Sequence, residues 1–289
     1  MKEALVALAL LVTLRTPAKQ TPVSSFRSSV EVVPIDVSVS RRGVPVQGLV
    51  ASDFAVFDNG VEQQVDGVAL DDHLPLDVQL VLDASGSVSG DRLTHLISAG
   101  SGLLQSLRSG DRVGLLTFSD VLQLRTGPTD DFGTVGRMLA GLRGDGQTAL
   151  RDAIALALAL RRDSPARPLM IVFTDGVDNA SWLIDEGVLD SARRAGIVIQ
   201  VVSVTSREPT AATFVQRLTQ ATGGRVWSAS SSSELDYLFT RALNDMRARY
   251  LLTFVARGPA QPGWHQLQVK LKQGRADIIA RPGYFVAAR

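Results

Sequence analysis

The 289-residue chain has no cysteine, which excludes a disulfide framework, a thiolate metal site and a cysteine nucleophile. Histidine is scarce as well, present only as His73, His95 and His265. A zinc centre built on several imidazoles is therefore disfavoured, and a Ser-His-Asp triad has few candidates. Lysine occurs only at Lys2, Lys19, Lys270 and Lys272, so the basic side chains are almost all arginine, spread along the chain without a block. With 30 basic against 29 acidic residues the formal charge is +1, which speaks against a nucleic-acid partner held by a basic surface. No segment approaches the roughly 18 consecutive apolar residues of a membrane-spanning helix, so no transmembrane segment is expected in the mature chain. What is present is 45% hydrophobic and 20% charged residues, enough for a buried core and for two domains.

Residues 1–20, MKEALVALALLVTLRTPAKQ, read as a signal peptide. Lys2 supplies the positive start, Ala4 to Leu14 the apolar run, and Thr16-Pro17-Ala18 the small-residue exit, with cleavage expected near Ala18. The expected location is secreted or periplasmic.

Residues 27–75 read as an N-terminal β segment. Apolar and polar residues alternate from Ile35 to Val39, and Phe54 to Phe57 runs into Asp58-Asn59-Gly60, a strong hairpin signal, before Val61 to Val65 returns. From residue 76 to 248 the pattern changes. Nearly continuous apolar strands at 78–82, 112–118, 169–174 and 197–204 alternate with helical stretches at about 91–108, 131–142, 148–162, 185–195, 210–222 and 232–247. That pattern predicts a doubly wound, mainly parallel, Rossmann-like α/β sheet covered on both faces. Residues 249–289 return to β, with strands at 250–255, 266–272 and 277–286. Neither flank has enough strands for two packed sheets, so the α/β unit is expected to be inserted between two β segments that form one small β-sandwich. The alternative is two separate hairpin extensions packed on the α/β domain.

The first α/β strand ends in Asp83-Ala84-Ser85-Gly86-Ser87, which puts a carboxylate and two hydroxyls at alternate positions. Ligands of open α/β sheets sit beyond the carboxyl ends of the strands, where strand order reverses. A second acid, Asp175, ends another apolar strand in Phe173-Thr174-Asp175-Gly176, and Thr148 opens a helix between them. An all-oxygen set of this kind suits Mg²⁺ or Mn²⁺ rather than a soft metal. Gly86 is read as letting the turn fold tightly, and Asp83 as facing solvent at its strand end. Each residue taken singly also reads as a cap or turn. Their joint order is what points to a site.

These motifs resemble a von Willebrand factor type A domain carrying a metal-ion-dependent adhesion site, over roughly residues 76–248. The resemblance implies metal ligation by the hydroxyls of Ser85, Ser87 and Thr148, with Asp83 and Asp175 acting directly or through water. It also implies a protein partner that offers Asp or Glu to the metal, an adhesion role and no catalysis. Val88 stands where many relatives have Met. The whole chain is further similar to bacterial secreted proteins related to this domain, through Val37-Ser38-Val39 to Phe54 and Arg281-Pro282-Gly283-Tyr284.

Two other functions compete: a metal-assisted hydrolase, and a scaffold with a vestigial site. The first lacks support, because Gly86-Ser87-Val88-Ser89-Gly90 does not place serine at the centre of a nucleophile elbow and no P-loop occurs. His95, just past Ser87, reads as an exposed helical residue. Asp120, Asp145, Asp152 and Asp178 read as caps and turns, with Asp178 the strongest exception because it lies close to Asp175. Trp182, Trp227 and Trp264 are expected in the core, with interface aromatics as the alternative.

Overall fold

The computed structural model describes residues 32–70, 74–175, 178–204, 209–256 and 261–287. The expected signal peptide and its cleavage point lie outside the described residues. Five strands come first: β1 (Val32–Arg41), β2 (Val44–Pro45), β3 (Phe54–Asp58), β4 (Val61–Gln63) and β5 (Gly67–Ala69). The α/β region follows with β6 (Leu76–Asp83), α1 (Asp91–Ser106), β7 (Arg112–Phe118), β8 (Leu122–Thr129), α2 (Phe132–Ala140) and α3 (Leu150–Ala159). It continues through β9 (Arg167–Thr174), α4 (Asp185–Ala195), β10 (Val198–Val204), α5 (Pro209–Thr222), β11 (Val226–Ala229) and α6 (Leu235–Arg247). Four strands close the chain: β12 (Tyr250–Val255), β13 (Gly263–Leu271), β14 (Asp277–Ile279) and β15 (Gly283–Val286).

The central sheet has the order β11-β10-β9-β6-β7-β8 and is parallel except for β8, which pairs antiparallel with β7. Its strands are apolar on both faces because both are covered. Val78, Leu80 and Leu82 of β6 point into a core with residues of α1, α2 and α6, while Val81 points into one with residues of α3, α4 and α5. The chain leaves β6 toward β7 on one side and later returns to β9 on the other. The crevice between the carboxyl ends of β6 and β9 is therefore the switch point of the sheet.

Both flanks contribute to both of the remaining sheets. One has the order β14-β1-β12-β5, with β2 on β1, and the other β15-β13-β3-β4. β1 runs antiparallel to β12 with Ile35 opposite Leu252, and β3 runs antiparallel to β13 with Val56 opposite Val269. Alternation produces their shared core: Val33, Ile35, Val37 and Val39 are buried with Phe54, Val56, Leu252 and Phe254. The Asn59-Gly60 turn has positive φ at both residues, as a two-residue hairpin of that twist requires. The fold class is thus the one the sequence pattern implies, a mainly parallel α/β sheet with antiparallel flanking sheets.

The Arg281-Pro282-Gly283-Tyr284 stretch breaks the expected strand 277–286 into β14 and β15. Tyr284 is buried, and its hydroxyl donates to Asp58 Oδ2 at 2.9 Å; His265 Nδ1 lies 2.9 Å from Oδ1 of the same carboxylate. Removing that donor by Tyr284→Phe should lower unfolding free energy by about 1.5 kcal/mol, since a hydrogen bond to a carboxyl group is lost in a buried setting. Urea denaturation measures this, and an unchanged midpoint would contradict the assigned bond.

Candidate metal centre

Three loops meet at the crevice above β6 and β9. The backbone zips two of them together: Gly86 N donates to Gly146 O at 3.0 Å, and Asp145 N donates to Ala84 O at 2.9 Å. Gly86 eases this approach rather than supplying a left-handed backbone: a Cβ there would lie 3.3 Å from Gly146 O, a tight contact. Gly146 itself has φ +79°, and a Cβ on it would collide with the Asp120 carboxylate. The third loop follows β9. Asn179 Oδ1 accepts from Thr148 N at 2.8 Å, and the amides of Asn179 and Ala180 both donate to Thr148 O.

Asp83 departs from the solvent-facing position expected of it and is 0% exposed. The 84–90 and 141–149 loops close over the strand end. Its Oδ1 accepts from Ser85 N at 3.0 Å, and its Oδ2 accepts from Thr174 Oγ1 at 3.0 Å. Burial, with the Asp175 charge adding to it, raises its pKa from 3.8 to about 6 against the hydrogen bonds from Ser85 and Thr174. Ser85 and Thr148 are also buried, Ser87 is exposed, and Asp175 is largely buried. The Ser85 and Ser87 hydroxyl oxygens stand 3.0 Å apart.

Sequence reasoning missed three contributors. Thr174 holds Asp83, and Asn179 holds the Thr148 backbone. Arg92, in the first turn of α1, donates from Nη1 to Ser87 O at 2.8 Å, and the same atom lies 3.7 Å from Asp175 Oδ2. A fixed positive charge thus stands beside the second acid. Arg92, five residues after Ser87, carries no motif that marks it in the sequence.

The other acids act as struts. Asp145 Oδ1 accepts from Gly146 N, and Asp120 Oδ1 from Ser119 Oγ. Asp178 pairs with Arg151 at 3.0 Å and accepts from Ser181. Burial opposes its ionisation, but the bonds from Arg151 and Ser181 outweigh that and hold its pKa below the usual carboxylate value. Asp152 accepts from the amides of Trp182 and Leu183, both at 2.9 Å. That loop projects Trp182 to 93% exposure, contrary to the expected core position. Trp264 is also exposed, and Trp227 is partly buried with its Nε1 on Gln200 Oε1. His95, expected on an open surface, is partly buried with Nδ1 2.8 Å from Ser232 Oγ.

The donor set fits a small hard cation. The Ser85 and Ser87 hydroxyls are hydrogen-bonded to each other at 3.0 Å, a separation that cis ligands of an octahedral ion at about 2.1 Å would also have. A buried carboxylate with no cationic side chain bonded to it is the second feature such an ion would satisfy. Among the described residues no group of three or more His, Cys, Asp or Glu side chains could hold a metal, so a cation here depends on hydroxyl oxygens.

Residues 78–177 match the family model described as the von Willebrand factor type A domain. The α/β region has an α/β fold of that type. Calcium-activated chloride channel regulator 1 of Bos taurus is 29% identical over 174 residues, 57% of this chain. The match spans only 18% of that relative's length. Among solved structures, proximal thread matrix protein 1 from mussel byssus, with a zinc-occupied MIDAS motif, superposes with a TM-score of 0.56 at 17% identity, over 66% of this chain and 50% of that one. The vWF domain of the type V pili tip protein Mfa5 from Porphyromonas gingivalis gives a TM-score of 0.50 at 13% identity, over 65% of this chain and 98% of that one. Likeness at these identities shows the fold. No helix among the described residues is long and apolar enough to cross a membrane.

Proposed function

We propose that the crevice is a divalent-cation site through which this chain, carried outside the cytoplasm by residues 1–20, binds a partner protein. Ser85, Ser87 and Thr148 would hold Mg²⁺ or Mn²⁺ through their hydroxyls, with Asp83 and Asp175 acting directly or through water. The bound ion would supply an open coordination position at which an Asp or Glu of the partner replaces water. The observation that carries this reading is Asp83: a fully buried carboxylate, bonded only to neutral donors, beside two hydroxyls at 3.0 Å from each other. Such a charge costs several kcal/mol unless a cation compensates it. The Arg151–Asp178 pair and the Asn179 bond to Thr148 hold the rim in place, so little ordering remains for binding. Arg92 neutralises part of the Asp175 charge and leaves Asp83 to the ion.

The zinc named for the mussel protein belongs to that protein; hydroxyl and carboxylate oxygens favour a harder ion here. Export accords with the apolar run after Lys2, and an extracytoplasmic setting with the pilus-tip origin of the Porphyromonas neighbour. No bond is broken in this reading. The exchange is tested by calorimetric titration with acetyl-Gly-Asp-Gly-amide and its Asn counterpart, in Mg²⁺ and in EDTA. Binding of the Asp peptide only, and only in Mg²⁺, is expected. Equal heats in EDTA would contradict it.

A further inference from the structure

At the opposite end of the central sheet, where β9 and β10 begin, a cavity of about 220 Å³ opens between the α/β region and the β-sandwich. Its charged lining is Asp36 of β1, Arg167 of β9 and Arg281. Asp36 is committed: its Oδ1 accepts from Arg167 Nε at 2.9 Å and from Arg167 Nη2. Arg281 donates from Nη2 to Pro34 O at 2.6 Å, and its guanidinium lies 5.9 Å from the Tyr284 ring centre. Its Nε is buried with no hydrogen-bond partner. Burial disfavours its charge, and the nearby Asp36 only opposes that in part. Two guanidiniums thus face one carboxylate, and the second has no ion-pair partner among the described residues. Arg281 is half-buried as a residue, and a buried guanidinium nitrogen is ordinarily hydrogen-bonded. The rest of the wall is mainly apolar, with Pro34, Pro165, Ile197, Val198 and Leu251.

We propose that this cavity binds a small organic monocarboxylate, its carboxylate set against Arg281 and its short aliphatic body against the apolar wall. The volume admits roughly six to ten non-hydrogen atoms. The site is independent of the metal centre, and the bound acid would bridge the sandwich to the base of the α/β sheet.

The test is calorimetry and thermal melting of the full chain in EDTA, which keeps any failure separate from the metal reading. The probes are hexanoate, neutral hexanamide, inorganic phosphate and acetyl-Gly-Gly-Val with a free carboxyl end. Hexanoate should bind with a stoichiometry of one and raise Tm, whereas hexanamide should do neither. Arg281→Gln should abolish binding. Because that variant also loosens the seam, Ala166→Leu serves beside it: Ala166 lines the cavity, carries no charge, and its enlargement should weaken hexanoate by at least about tenfold. No binding of hexanoate up to about 10 mM would overturn the proposal, as would equal binding of hexanamide or an unaffected Ala166→Leu variant. Phosphate or the peptide binding in place of hexanoate would overturn the assignment to a free carboxylic acid.

Discussion

Asp83→Ala is expected to remove metal-dependent stabilisation altogether. At a hundredfold excess of Mg²⁺ or Mn²⁺ over its dissociation constant, a single site on the native state stabilises by about 2.7 kcal/mol. The wild type should therefore melt several degrees higher with metal, and Asp83→Ala should melt at one temperature with or without it. In the absence of metal the substitution has two opposed effects. It deletes a buried charge that Asp175 repels, and it leaves Ser85 N and Thr174 Oγ1 without their acceptor. Asp83→Asn keeps an acceptor for Ser85 N and so separates the charge from the hydrogen bonds. Both variants should lose the metal response. Equal metal-induced shifts in wild type and Asp83→Asn would remove Asp83 from the site.

The same carboxylate should make metal-free stability depend on pH in an unusual direction. Its folded pKa is about 6, raised by burial above the 3.8 of an ordinary Asp. Between those values the folded chain keeps a proton that the unfolded chain has released, so the native state binds more protons. The contribution of Asp83 is fully present below about pH 4 and is lost as pH rises through about 6. The full swing is roughly 3 kcal/mol. Asparagine imitates the protonated form, so the stability of wild type minus that of Asp83→Asn should fall by that order from pH 4 to pH 6.5 in EDTA. A flat difference would contradict the buried charge. Metal reverses the sign, because the ion and the proton compete for one carboxylate: apparent affinity should drop about tenfold per pH unit below 6.

The physics of the fold was legible wherever burial imposes a period. Strand β6 reads as buried on both faces because five of its eight residues are large aliphatics, and β1 alternates because only one of its faces meets the core. β8 left no such trace. It is an antiparallel edge strand with most side chains exposed, and Gly127 and Pro128 interrupt it, so no hydrophobic pattern selects it. β11 is four residues long, too short for a period to be read. In the candidate site the sequence order of Asp83, Ser85, Ser87, Thr148 and Asp175 was visible, and Asp83 ends β6 while Asp175 directly follows the neighbouring β9. The burial of Asp83 was not visible, because it is imposed by the 141–149 loop folding over from far along the chain. Arg92 and Thr174 were hidden for a related reason. Each matters through one contact with a distant residue, Asp175 or Asp83, and neither belongs to a repeating pattern. Trp182 misled because size and apolarity favour burial, whereas Asp152 pins its backbone to the rim and turns the ring outward.

One divalent ion is proposed to sit on Asp83 and the hydroxyls beside it. Titration of the chain with Mn²⁺, followed by the electron paramagnetic resonance signal of the free ion, tests this directly. The free signal should be depleted with one ion bound per chain, Mg²⁺ should restore it by competition, and Asp83→Asn should leave it undiminished. A free Mn²⁺ signal unchanged by the wild-type chain, or depleted equally by Asp83→Asn, would rule out that placement of the ion.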